Sequence, residues 1–264
     1  MGRHHLYEDT SKPLILAHQG ASFDAPSNTF RAFDLAVDAK ADVLETDIHW
    51  TRDNEIVISH DDTVDSSSNG HGFILDMTLS ELLQLDFGYH FSLDGGITFP
   101  YRGQGIKIPT LEELLLRYSG IRINIDIKPR FGARISDLIQ KIDDCKALNR
   151  VGLASFHHNV LTKVRQMCPV ISTSASPKEV ACFIAEPYLK RSPSEYPFDS
   201  LQVPVREYGI KIVTPRFIAK ARVNKIPIHV WTIDNVEEMR SLIRMGVSGV
   251  VTNRPREAVK ALFQ

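Results

Sequence analysis

The sequence predicts an α/β fold: a (β/α)8 barrel of the TIM type, with a small insertion after strand 2. Two observations predict it. Eight short apolar runs alternate with helix-patterned stretches almost from end to end. Several of those runs end in His, Glu or Asp, and a barrel carries its active site at the C-terminal ends of its strands. An open doubly wound sheet is the alternative, but no Gly-rich dinucleotide loop follows the first run.

The first strand is expected at Leu14–His18. The next stretch, Asn28–Ala39, places Phe30, Phe33, Ala36 and Val37 at helical spacing. Val43–Trp50 is the second strand. Asp61–Gly105, rich in Gly, Ser and Asp, breaks the alternation and reads as an insertion over the barrel mouth, without a core of its own. Within it, Met77–Leu83 has the pattern of a short capped helix. Thr110 caps a helix over Leu111–Tyr118, and Glu113 completes a capping box. Further strands are expected at Arg122–Lys128, Gly152–Phe156, Val170–Ser174, Ser200–Val203, Ile228–Ile233 and Gly249–Thr252. Helices are expected between them at Ala133–Leu148, His157–Cys168, Pro177–Ala185 and Pro215–Val223. Asn235 caps Val236–Met245, Gly246 stops that helix, and Pro255 opens a last short one. Residues 1–264 thus form a single domain, with 61–105 inserted over the mouth.

With 43% hydrophobic residues in 264, the chain can bury a large core. A formal net charge of -1 argues against general polyanion binding, so nucleic acid is not an expected partner. Cys145, Cys168 and Cys182 are odd in number and lack metal-site spacing, which fits free thiols in a reducing compartment. Met1–Lys12 contains no apolar signal region, and no run approaches the ~20 residues that span a bilayer. The expectation is a cytoplasmic protein with no stable membrane insertion; nothing in the sequence specifies an oligomer.

The chemistry gathers around Glu45 and Asp47. Both belong to one strand at i and i+2, so both face the same side. Two like charges on a buried face repel and lose hydration, and a cation between them relieves both costs. Asp126, on the strand Arg122–Lys128, is a third carboxylate at a barrel-type position. An all-oxygen set suits a hard divalent cation, Mg²⁺ or Ca²⁺, rather than Zn²⁺. The competing reading pairs each carboxylate with a basic residue. His18 closes the first apolar run and His60 closes Ile56–Ser59, so the two histidines are the candidate acid and base. Lys128 shares the face of Asp126, where it either holds a phosphate oxygen or pairs with the carboxylates. Trp231 ends the seventh strand, as a pocket wall or as packing at the barrel top. Phe87, Tyr89, Phe91 and Phe99 either line the substrate mouth or bind the insertion to the barrel.

Taken together, these residues resemble the glycerophosphodiester phosphodiesterase family. The ordered set includes Ala17-His18-Gln19-Gly20, Asn28-Thr29-Phe30, Glu45-Thr46-Asp47, Ser59-His60-Asp61, Asn69-Gly70-His71-Gly72, Ile108-Pro109-Thr110, Ile125-Asp126-Ile127-Lys128 and Thr252-Asn253-Arg254-Pro255, spread over nearly the whole chain. The resemblance implies a TIM-type barrel with a small inserted subdomain and metal-assisted hydrolysis of a small phosphodiester. It maps the metal ligands onto Glu45, Asp47 and Asp126 and the paired histidines onto His18 and His60. The family usually has Arg at Gln19, Glu at Ser27, and more often Glu than Asp at Asp126. It often has Arg at Ser66. An Arg offers phosphate a fork of charged donors that Gln lacks, so at Gln19, a candidate substrate-binding residue, the expectation is a phosphate pocket altered either in affinity or in substrate class. Two alternatives accompany the diesterase reading: a lysophospholipase D-like enzyme on lipid substrates, and a non-catalytic phosphodiester-binding protein.

Overall fold

The computed structural model describes residues 6–7, 12–130, 132–189 and 195–263. Its strands, in chain order, are β1 (Leu14–His18), β2 (Val43–Trp50), β3 (Ile56–Ile58), β4 (Arg122–Ile127), β5 (Val151–Ala154), β6 (Ser172–Thr173), β7 (Leu201–Pro204), β8 (Arg206–Glu207), β9 (Ile210–Lys211), β10 (Ile228–Trp231) and β11 (Gly249–Thr252). The helices are α1 (Phe30–Asp38), α2 (Leu79–Leu82), α3 (Leu111–Arg117), α4 (Ile135–Asp144), α5 (His158–Met167), α6 (Pro177–Leu189), α7 (Pro215–Val223), α8 (Val236–Met245) and α9 (Pro255–Phe263).

Eight of the strands run parallel in the order β6-β5-β4-β2-β1-β11-β10-β7. A parallel bridge between Ser174 and Ser200 joins β6 to β7 and closes the ring. The Ala175 amide donates to the Ser200 carbonyl across that seam, at 2.8 Å. The fold is the expected TIM-type barrel. β6 is shorter than the run that predicted it, because the seam takes Ser174 as a single bridge. β3 stays outside the ring, antiparallel to the outer end of β2 through Ile48↔Ile58 and Trp50↔Ile56. β8 and β9 form a separate hairpin after β7.

Helix ends follow the sequence closely. Thr110 and Glu113 form the expected capping box on α3, and Thr78 and Glu81 form another on α2. Asn235 accepts from the Glu238 amide at the start of α8, and Gly246, with φ of 100°, ends it in the left-handed region. α6 runs to Leu189, past the expected stop at Ala185.

Alternation along β1 sends Ile15 and Ala17 to the helix layer and Leu14 and Leu16 to the barrel interior. Leu6 and Tyr7 join Leu14, Leu16, Val43 and Val251 to fill the barrel floor. Each fully buried Leu or Ile contributes about 1.5–3 kcal/mol. The insertion does have a small apolar cluster: Val64, Ile74, Leu82 and Phe87 pack with Val57 and Ile108. Its lack of a core was expected from its polar composition, but four well-spaced apolar residues suffice when β3 supplies the other wall.

Candidate active site

Strand register brings the sequence-distant groups together. β1 pairs with β2 so that His18 stands beside Glu45, and β2 pairs with β4 so that Asp47 stands beside Asp126. A side-chain period of two then keeps Glu45 and Asp47 on one face. A cavity of about 750 Å³ opens there, lined at one end by His18, Glu45, Asp47, His60, Asp126 and Lys128.

The Lys128 ammonium lies 2.9 Å from Asp47 Oδ1 and 2.8 Å from Asp126 Oδ2. The ion-pair reading of Lys128 is therefore realised, and the same side chain also lines the cavity. Burial acts to lower the lysine's pKa, but the charges of Asp126 and Asp47 outweigh it and raise the value above the usual range. Glu45 is pushed well up, first by burial and then by the charges of Asp47 and Asp126. Burial raises Asp126 as well.

Among the described residues, no three His, Cys, Asp or Glu side chains are gathered into a ready metal cage. The donor set nevertheless fits a hard cation. Three carboxylates share one ammonium, and the raised values of Glu45 and Asp126 mark the cost of holding all three charged together. Asp126 Oδ1 is buried without a hydrogen-bond partner. A divalent ion would balance that charge and occupy that oxygen.

Asp47 Oδ2 receives two amides, Gln19 Nε2 at 3.0 Å and Asn28 Nδ2 at 2.9 Å. Gln19 also donates its backbone N–H to Glu45 Oε2 at 3.1 Å. Both residues sit in the left-handed region, with φ of 56° and 59°, an uncommon state for a side-chain-bearing residue. Between them Gly20 has φ of 82°, and an added Cβ would come 2.6 Å from the Ala32 carbonyl carbon. The loop after β1 is thus folded tightly onto α1, and Gln19 faces the carboxylates.

The two histidines are held differently. His18 Nδ1 lies 2.7 Å from Asn253 Oδ1. Asn253 Nδ2 donates to Asp234 Oδ2, which fixes the amide orientation and makes His18 Nδ1 the donor. His60 Nδ1 donates to Asp61 Oδ1 at 2.7 Å, and Ser66 Oγ donates to Asp61 Oδ2 at 2.5 Å. Those bonds, that of Ser66 first, hold the Asp61 carboxyl below its usual range. Each imidazole is left with Nε2 as the acceptor nitrogen. A smaller cavity of about 110 Å³, lined by Ser27, Ser59, His60, Ser66 and Phe87 among others, adjoins His60.

Trp231 lines the main cavity, and its ring meets Phe156 edge to face at 6.0 Å. The insertion aromatics mostly serve the insertion. Arg102 stacks on Phe99 and Tyr89, and Phe91 packs on Tyr101. Sequence reasoning gave no role to Asn28, Asp61, Asp234 or Asn253. The Asp next to His60 was a readable signal for the dyad. The Asp234–Asn253–His18 chain had none, because its members lie on three different strand ends.

The glycerophosphoryl diester phosphodiesterase family model matches residues 18–257, a span that includes every candidate site residue. A glycerophosphodiester phosphodiesterase of Caldanaerobacter subterraneus subsp. tengcongensis is 31% identical over 94% of this chain and 97% of its own. The crystal structure of a glycerophosphoryl diester phosphodiesterase domain from Mycobacterium tuberculosis superposes with a TM-score of 0.82 at 18% identity, covering 95% of this chain and 99% of that one. The structure of an Oleispira antarctica phosphodiesterase in complex with the product sn-glycerol-3-phosphate superposes with a TM-score of 0.78 at 22% identity, covering 96% of this chain and 97% of that one. The class is that of the phosphoric diester hydrolases built on a TIM-type barrel. More particularly, the chain belongs to the glycerophosphoryl diester phosphodiesterase family.

Proposed function

We propose that this protein hydrolyses glycerophosphodiesters to glycerol 3-phosphate and an alcohol, with a divalent cation and with His18 and His60 as the acid–base pair. The observation that carries the proposal is that both imidazoles line one cavity with the three carboxylates while each Nδ1 is anchored on an oxygen. Glu45, Asp47 and Asp126 would hold Mg²⁺ or Ca²⁺. When bound, such an ion supplies charge to a nonbridging phosphoryl oxygen and favours deprotonation of a hydroxyl nucleophile.

The chain's own residues do the rest. One histidine, neutral, accepts at Nε2 the proton of the nucleophile as its oxygen bonds to phosphorus; that nucleophile is water, or the substrate's own hydroxyl with water then opening the cyclic phosphate. The other, protonated, returns a proton to the alkoxide as the P–O ester bond breaks. Asn253 and Asp61 keep the two rings in the tautomer that leaves Nε2 available. Lys128 adds positive charge at the phosphate. Gln19 serves the phosphate pocket through Asp47 and Glu45, and Trp231 walls the substrate site.

The test is turnover of glycerophosphocholine by purified protein in EDTA, then with added Mg²⁺ or Ca²⁺, following glycerol 3-phosphate and choline. Both products, restored by either ion, support the reading. Binding of the diester without turnover at any ion concentration would replace it with a binding role.

A further inference from the structure

β2 carries a third polar side chain on the face of its carboxylates. Glu45, Asp47 and His49 stand at i, i+2 and i+4, while Leu44, Ile48 and Trp50 turn to the helix layer. His49 is 7% exposed and stays out of the cavity lining, so it touches no substrate there. Its Nε2 lies 3.2 Å from the backbone carbonyl oxygen of His60. A carbonyl oxygen only accepts, so Nε2 carries the hydrogen and donates.

His60 needs such support. It follows β3 by two residues, outside the ring of parallel strands, and its side chain is half exposed. Its carbonyl belongs to the planar peptide unit that joins His60 to Asp61, so the direction of that carbonyl governs where both side chains leave the backbone. The 2.7 Å bond from His60 Nδ1 to Asp61 Oδ1 depends on this plane. Two further bonds hold the same turn. The Ser59 amide donates to the Asp47 carbonyl at 3.0 Å, and Ser59 Oγ donates to the Asp61 carbonyl at 3.1 Å. The carboxylate strand thus grips the turn at two points, through the Asp47 backbone and the His49 ring. A core histidine needs only some carbonyl for its N–H, whereas this one takes the peptide that carries the candidate acid–base group.

We propose that His49 is a positioning residue for the phosphodiester reaction: its Nε2–H fixes the peptide after His60 and so keeps that imidazole in place against the carboxylates of β2 and β4. The proposal rests on the two-histidine reading of the same site. Without the bond the turn is free to shift, and a misplacement of about 1 Å costs a reaction on the order of 100-fold. His49 itself makes no contact in the cavity, so the loss falls on kcat rather than on KM.

The experiment is steady-state turnover of glycerophosphocholine, with Mg²⁺ or Ca²⁺, by His49→Gln and His49→Asn. Glutamine sets an amide Nε2 where the imidazole Nε2 stands, asparagine reaches only to the place of Nδ1, and the two amides are alike in polarity. We expect His49→Gln to stay within about threefold of the unsubstituted protein, and His49→Asn to lose about 10- to 100-fold in kcat with KM within about twofold. In a His60→Ala background the same asparagine should cost less than about twofold, since the group it misplaces is gone. Equal kcat for the two amide variants, or a full His49→Asn loss that persists beside His60→Ala, would overturn the proposal. A thermal melt accompanies each variant, and His49→Met takes the place of His49→Asn if that protein does not fold. Near-normal turnover of His60→Ala, or none by the unsubstituted protein, sinks the two-histidine reading and this proposal with it. A deep His60→Ala loss beside indifferent His49 variants sinks this proposal alone.

Discussion

His18 and Asn253, 235 residues apart in the chain, meet with Nδ1 2.7 Å from Oδ1. Asn253 is itself gripped by Asp234, which accepts from both its amide nitrogen and its backbone N–H. The ring of His18 is therefore set by the end of β11 and the loop after β10.

Asn253→Ala should lower kcat about 10- to 100-fold, part of the 10²–10⁴ that a well-placed acid or base supplies. KM should move little, since Asn253 lies behind the histidine. Steady-state kinetics beside a thermal melt check it. Asn253→Asp keeps an acceptor at the same place and should recover part of the loss.

His60→Ala should reduce turnover by a comparable or larger factor while the fold persists, because the ring is half exposed and makes few packing contacts. Asp61→Asn should leave the fold intact and lower kcat, as the carboxylate that holds the His60 ring through Nδ1 is lost; steady-state kinetics beside a thermal melt check it. Near-normal turnover of His60→Ala would refute the two-histidine scheme.

Lys128→Met leaves Glu45, Asp47 and Asp126 with no ammonium among them. Removing one partner of a buried pair costs about 3–5 kcal/mol. The variant should melt earlier than the parent in EDTA. Millimolar Mg²⁺ or Ca²⁺ should raise its Tm by more than it raises the parent's. Equal ion-induced shifts in the two proteins would count against a cation on these carboxylates.

His229 is buried at the barrel floor against the Tyr7 ring, and neither ring nitrogen has a hydrogen-bond partner among the described residues. Burial, with a smaller push from the Arg122 charge, lowers its pKa to about 3. Unfolded histidine titrates near 6.5, so between pH 6.5 and 3 the unfolded chain holds one more proton than the folded one. This contribution to stability is complete above pH 6.5 and is lost as pH falls through that window, at most about 1.4 kcal/mol per pH unit. His229→Phe should flatten the acid side of the stability curve, measured by denaturant unfolding at pH 7 and pH 5. Comparing variant with parent isolates His229 from Glu45 and Asp126, whose raised values act in the opposite sense.

The barrel was legible because each β/α unit has its own local signature. Leu14–His18 and Val43–Trp50 were read with their observed limits, and the Thr110–Glu113 capping box needed only i to i+3 information. The carboxylate face was legible for the same reason: Glu45 and Asp47 are two apart on one strand. Asn28, part of a motif that carries the resemblance, has no site role legible in the sequence because it acts from a left-handed turn onto Asp47, a contact across 19 residues that no periodicity encodes. The small core of the insertion escaped because Gly, Ser and Asp dominate its composition, and its apolar residues cluster only after packing against Val57 and Ile108.

The sequence by itself determined the class of fold, the family and the chemical character of the mouth, since strand period, caps and motif order are local properties of the chain. Tertiary structure decided what those groups do to one another. Strand register placed Asp47 beside Asp126 and put the Lys128 ammonium on both, and ring closure at Ser174 and Ser200 shaped the cavity. The loop and hairpin after β5 and β7 gave that cavity its apolar side. Electrostatic and hydrophobic energies depend on distance and burial in space, and those are fixed when separate segments pack, not by their spacing along the chain.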